Sequence, residues 1–272
     1  MGDIRIGTSG YSYSDWKGLF YPRDLEPTKF LEYYAQYFDC VEIDSTYYRI
    51  PRPSMMEAIT NKVPKSFRFA VKTPSTFTHQ RDQFLNTLEL FSAATKPMVK
   101  KGMLECYLAQ FPSSFRHSRD NLEHTKAVAG SVDAPLCVEF RGREWQNEEV
   151  YGFLKDNEIG YVNVDLPKFK TLPKPSSIVT SGVGFVRFHG RNAAKWWQHR
   201  EAHERYDYCY STKELEEWVP RIKEIQEHTR VLYLMFNNHW RKQSVDAANE
   251  MKRLLGIKTA PAKSGLLTDY FS

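Results

Sequence analysis

Eight short runs rich in apolar and β-branched residues recur along this chain, each followed by a longer segment. That alternation limits the fold more than any single motif does. The runs are IRIG (4–7), CVEI (40–43), FRFAVK (67–72), MLECYLAQF (103–111), LCVEF (136–140), YVNV (161–164), GFVRFH (184–189) and VLYLMF (231–236). Apolar residues at helical spacing fill 28–38, 82–99, 120–130, 214–228 and 244–256, while the sixth crossover is irregular and rich in Pro. A parallel pair of strands needs a long crossover, so this order argues for a parallel sheet. Eight such units fit an α/β chain folded as a (β/α)8 TIM barrel over 1–257; a doubly wound open sheet is the alternative. Residues 258–272 read as a linker and tail.

A barrel carries its site where the strands end, and strands place alternate side chains on opposite faces. In GFVRFHGR, Arg187 and His189 share one face, opposite Val186 and Phe188. A buried Arg and His are costly unless polar partners meet them, and the other strand ends offer such partners. Glu42 and Asp44 lie opposite Val41 and Ile43, Lys72 opposite Val71, and Gln110 ends the fourth run. Glu139 and Arg141 lie opposite Val138 and Phe140, Asn163 and Asp165 opposite Val162 and Val164, and Asn237 and Asn238 follow the eighth run. The pattern points to one polar pocket, with Glu42, Lys72, Glu139, Asp165, Arg187 and His189 as its chemical core; the alternative is a buried ion-pair network that only closes the barrel mouth.

The loops at the same ends supply binding groups. GTSGYSYSDW offers the backbone and side chains of Thr8 and Ser9 to an anion, with Tyr11 and Trp16 beside them. Asp44, Tyr47, Trp145 and Arg191 follow other strands. The elaborated segment after the seventh strand, GRNAAKWWQHREAHERYDYCYS, mixes basic residues with Trp196, Trp197, Tyr206 and Tyr208. Basic plus aromatic is the composition of single-stranded nucleic-acid and flipped-base sites, and also of an ordinary lid packed by its aromatics.

Composition sets the surroundings. A chain with 41% hydrophobic residues can bury a substantial core, and none of its stretches approaches the ~20 apolar residues of a membrane span. The four cysteines are scattered and the N-terminus has no signal-peptide pattern, which reads as reduced thiols in the cytoplasm. A net charge of +5 leans only mildly toward anionic partners.

GTSGYSYSDW (7–16), EIDSTYYRIP (42–51), VKTP (71–74), QFPSSF (110–115), VEFRGREW (138–145), VRFHGR (186–191), YDYCYSTKELEEW (206–218) and FNNH (236–239) together resemble the YecE-like family, domain of unknown function 72. The resemblance implies a (β/α)8 barrel related in shape to the xylose-isomerase and endonuclease-four groups. It implies no particular reaction. Asp44 departs from the family pattern, which carries Asn there.

Two chemistries suit such a pocket. In one, Glu42, Glu139, Asp165 and His189 hold a divalent ion, Mg or Mn more readily than Zn, while Lys72, Arg141 and Arg187 neutralise a phosphodiester. In the other no metal acts: a Glu is the base, His189 the acid, and Lys72 or Arg187 stabilises an anion. The expected activity is a hydrolase for a phosphodiester or nucleic-acid-like substrate. A non-catalytic binder of an anionic ligand and a carbohydrate-acting hydrolase or isomerase are the alternatives. In the tail, Leu267, Tyr270 and Phe271 resemble the peptide that binds sliding clamps, although Ser264 stands where that peptide carries Gln. The other reading of the tail is docking on its own barrel.

Overall fold

The computed structural model describes residues 1–257, so the clamp-peptide-like cluster at Leu267, Tyr270 and Phe271 lies outside the described residues. Eight parallel strands run in the order expected from the sequence: β1 (Asp3–Thr8), β2 (Cys40–Ile43), β3 (Arg68–Lys72), β4 (Leu104–Gln110), β5 (Leu136–Glu139), β6 (Gly160–Asp165), β7 (Val183–Phe188) and β8 (Val231–Phe236). β1 pairs with β8, and sequence neighbours pair from β2 round to β8, so the sheet curls into a TIM barrel. Its seam lies between β1 and β2. There a bridge between Ser9 and Glu42 and the Gly10 N–H to the Glu42 carbonyl (2.8 Å) replace a full ladder. Gly7 permits this approach, because a Cβ on it would stand 2.4 Å from the Cys40 carbonyl oxygen.

Helices cover the outside. Phe30–Tyr34, Phe84–Lys100, Arg119–Ser131 and Gln243–Leu254 answer to the periodic segments, as do Thr212–Glu216 and Val219–Glu227, which divide one expected helix. That helix breaks ahead of Pro220, which cannot donate into a continuous ladder. Pro53–Asn61 and Glu148–Asp156 are further helices not marked by their periodicity. Their start signals are local: Pro53 opens one, and the Asn147 side chain accepts from the Val150 N–H to cap the other. Between Asp165 and Val183 the chain makes no helix, as the Pro-rich sequence indicates.

Two apolar layers follow from strand alternation. Val41, Ile43, Phe69, Val71, Val138, Phe140, Val186 and Phe188 face the helices, while Cys40, Ala70, Cys106, Leu108, Cys137, Val164, Phe185 and Met235 fill the barrel interior. Cys40, Cys106 and Cys137 are thus buried thiols of the inner layer. Above that layer the interior turns polar. Among the described residues no helix is long and apolar enough to cross a membrane.

Candidate active site

The floor of the mouth is built around Arg187, which projects inward from β7 and is fully buried. Its Nε and Nη2 donate to Glu42 Oε2 and Oε1 at 2.9 and 2.7 Å, and its Nη1 donates to Glu139 Oε2 at 2.6 Å. The planar fork therefore takes one carboxylate bidentately and still reaches a second, which an ammonium cannot do. Ser9 Oγ lies 3.4 Å from Nη2, tying the β1 loop to the same group. Burial pushes Glu42 up despite Arg187 beside it. Burial alone would push Glu139 up too, but the Arg141 and Arg187 guanidiniums and the His189 ring hold it well below the usual carboxylate range.

Glu139 Oε1 gathers two more neighbours, Arg141 Nε at 2.7 Å and His189 Nε2 at 3.1 Å. Neither is an aligned hydrogen bond: the contacts are electrostatic, and all three buried atoms keep unused hydrogen-bonding capacity. On the other side of the ring, Asn237 Nδ2 is 3.0 Å from His189 Nδ1. An amide nitrogen only donates, so Nδ1 accepts and the ring proton sits on Nε2. Burial then holds His189 neutral, with its pKa lowered to about 3. An imidazole so depressed is a poor general acid at neutral pH.

Lys72 rises from the end of β3. Its Nζ donates to Gln110 Oε1 at 3.2 Å and lies 4.3 Å from the centre of the Tyr47 ring. Burial, then Arg187, lowers its pKa to about 8. Its partner Gln110 lines a cavity of about 190 Å³, together with His79, Ser113, Arg141, Leu172, Trp196, Trp197, Arg205 and Tyr206, among others. Arg141 and Arg205 both stand over the buried Trp196 ring, at 5.7 and 5.2 Å from its centre. Trp197 at the rim is 52% exposed and Tyr48 84%, so both present open aromatic faces.

The structure thus brings together Ser9, Glu42, Lys72, Gln110, Glu139, Arg141, Arg187, His189 and Asn237, with Tyr47, Trp196 and Trp197 around them. Asp44 is half-buried, and after burial it and Glu42 are the leading charges that push the Tyr13 hydroxyl up. Asp165 is a correction. It faces the helix layer, where Arg191 grips it at 2.7 and 2.9 Å and Tyr210 Oη and Trp218 Nε1 donate to it at 2.8 and 2.6 Å. Asn163 shares that outward face, held by Ser176 and Ile178. β6 turns Val162, Val164 and Leu166 inward instead. Both faces of this strand are buried, so alternation alone does not say which one lines the mouth.

Arg191 is accordingly a clamp on Asp165 and Glu217 rather than a ligand contact. Trp16 and Trp145 are fully buried, donating to the carbonyls of His239 and Phe115, which removes them from the rim. Thr8 is buried against the Tyr34 hydroxyl, and Asn238 donates to the Tyr208 carbonyl. Tyr11 packs near Tyr34 and passes its carbonyl to the Tyr21 hydroxyl.

The four residues weighed as metal ligands do not converge. Asp165 points away, and the Arg187 guanidinium occupies the place between Glu42 and Glu139 where a cation would sit. Among the described residues no group of three or more His, Cys, Asp or Glu is arranged to hold an ion. The donor set does not fit a resident divalent metal.

Arg205, His79, Ser113 and Tyr13 are mouth residues that strand alternation does not identify. Arg205 lies in the basic-aromatic loop and has that composition as its signal. The other three sit on loops after strands, where side-chain direction has no period to read. Tyr13 donates to the Ser9 carbonyl at 2.6 Å and stacks on His239, ring centres 4.5 Å apart.

Comparison with known proteins places this architecture. The family model described as protein of unknown function DUF72 matches residues 5–267. The chain is 29% identical to the UPF0759 protein YunF of Bacillus subtilis, over 94% of this chain and 95% of that protein. It is similar to the crystal structure of a DUF72 family protein (TM1631) from Thermotoga maritima, with 37% identity, a TM-score of 0.86, and coverage of 93% of this chain and 99% of that one. SacUVDE, at 8% identity and a TM-score of 0.58 over 94% of this chain and 99% of that one, shares the fold.

Proposed function

For this chain, which belongs to the DUF72 family, we propose that the strand-end mouth binds a phosphate-bearing, nucleic-acid-like ligand and hydrolyses its phosphodiester without a metal. The observation that carries this reading is the stack of Arg141 and Arg205 on Trp196, which walls the cavity at the strand ends. Guanidinium groups match phosphate oxygens in pairs. Arg205 has no carboxylate partner among the described residues, since its Nε donates to the Trp196 carbonyl and its Nη2 lies near His199. A cavity of about 190 Å³ holds a phosphate and part of a sugar. Larger ligands, for which pockets of roughly 300 Å³ or more are usual, extend over the exposed faces of Trp197 and Tyr48, where bases can stack.

Lys72 is the proton-transfer group in this scheme. Its neutral amine takes a proton from the attacking water as the new P–O bond forms. The resulting ammonium returns that proton to the leaving oxygen as the old P–O bond breaks. Arg141 and Arg205 hold the charge that builds on the phosphate. Glu42 and Glu139, both engaged by Arg187, serve as fixed counter-charges.

The test incubates purified protein with labelled single-stranded, duplex and abasic-site DNA, with divalent ions or with EDTA, beside a Lys72→Met variant. Cleavage that survives EDTA and is lost in the variant is expected. Tight binding without cleavage would reduce the proposal to its binding half, and cleavage abolished by EDTA but untouched by Lys72→Met would refute the mechanism.

A further inference from the structure

Lys72 is held in a way that proton transfer alone does not require. The Thr46 hydroxyl fixes its carbonyl at 2.5 Å, and Gln110 Oε1 and the Tyr47 ring fix its ammonium end. No described carboxylate pairs with it. The charged and titratable groups facing it are Arg187 from β7, Glu42 from β2, Glu139 from β5, Arg141 just beyond it, and His79 from the loop after β3. Both carboxylates are already engaged by arginine; they still favour the charged lysine, but burial and Arg187 outweigh them. At a pKa of about 8, roughly a tenth of the amine is neutral at pH 7. A neutral amine positioned against Gln110, which lines the cavity, is a nucleophile toward carbonyl carbon.

We propose that Lys72 forms an imine with an aldehyde carried by a phosphate-bearing ligand, while Arg141 and Arg205 hold that ligand's phosphate. The inference rests on the reading of the mouth as a phosphate site and adds covalent chemistry to it. The Nζ lone pair attacks the carbonyl carbon, a C–N bond forms, and the carbonyl electron pair moves to oxygen to give a carbinolamine. Loss of that oxygen as water, with one proton from nitrogen and one from solvent, leaves the protonated C=N. Two kinds of ligand carry this chemistry: an open-chain sugar phosphate, and a nucleic-acid strand whose deoxyribose has lost its base.

Pyridoxal 5′-phosphate, an aromatic aldehyde with a phosphate, is a direct probe. The full chain is incubated with it, reduced with borohydride so that hydride adds to the imine carbon, and mapped by peptide mass spectrometry. Parallel arms use unphosphorylated pyridoxal, glyceraldehyde 3-phosphate and an abasic oligonucleotide. The expected result is one dominant adduct at Lys72, formed faster as pH rises through about 8 and absent in Lys72→Arg. Pyridoxal should label this site about tenfold less, the worth of one charge-assisted contact. The arm that traps at low concentration, sugar phosphate or abasic strand, identifies the source of the aldehyde. Reversible, salt-sensitive binding of the probe without an adduct at Lys72 would overturn this inference and leave the phosphate site standing. Equal labelling of Lys72 by both aldehydes would overturn the phosphate site itself, and with it the proposal. Labelling spread evenly over surface lysines would overturn the special reactivity of Lys72.

Discussion

At the scale of single residues, Arg187 organises the mouth. It satisfies Glu42 and Glu139 together, and each carboxylate is fully buried. Removing one partner from such a network leaves charge uncompensated in a low-dielectric interior. Arg187→Met should therefore lower unfolding stability by about 3–5 kcal/mol, read as a fall in the urea midpoint at unchanged slope. Arg187, His189 and their partners on β2, β3, β4, β5 and β8 are legible in the sequence, because an apolar residue sits on the helix side of each. What is not legible is how they pair. Alternation gives a side chain its face and says nothing of which carboxylate an arginine takes, nor that Gln110 rather than a Glu would meet Lys72.

At the scale of elements, β6 and the segment after β7 behave differently from their sequence reading. Asp165 joins β6 to Arg191 and to the helices at 212–227 through Tyr210 and Trp218. It is a structural clasp. Asp165→Ala would leave the buried Trp218 N–H and the Arg191 Nε without an acceptor, although Arg191 keeps Glu217, and should cost about 3 kcal/mol in denaturant unfolding. Material still folded at low denaturant should bind ligand as wild type does. A variant that kept its stability but lost binding would return Asp165 to the mouth. The same segment was readable in composition: its basic-aromatic mixture does reach the cavity through Trp196, Arg205 and Tyr206. Its tryptophans divide in a way that composition cannot show, Trp196 buried under two arginines and Trp197 open at the rim. The eight strands were readable because each run is short and apolar. The helices at 53–61 and 148–156 were not, since their caps lie in single residues rather than in a period.

At the scale of the whole molecule, the buried imidazole sets a pH response. His189 is neutral in the folded protein down to about pH 3, whereas an ordinary histidine gains a proton near 6.5. Between these values the unfolded chain binds more protons than the folded one, so stability falls as pH drops. The contribution is fully present above about pH 6.5 and is lost progressively toward 3, on the order of 2 kcal/mol by pH 5. Thermal unfolding between pH 5 and 7 should show this slope, and a His189→Gln variant should flatten it. An unchanged slope in the variant would mean that the ring takes up its proton without cost.

A net charge of +5 on the whole chain does not place a phosphate anywhere. In the proposed reading the Arg141–Trp196–Arg205 stack does. Salt dependence of binding to a labelled single-stranded oligonucleotide, followed by fluorescence anisotropy, therefore tests the account most directly. Contact with about two phosphates predicts that log affinity falls against log salt with a slope of about −1.4. Arg205→Gln should weaken binding and reduce that slope by about 0.7. Affinity indifferent to salt, or a slope that Arg205→Gln leaves unchanged, would contradict a phosphate site at the barrel mouth.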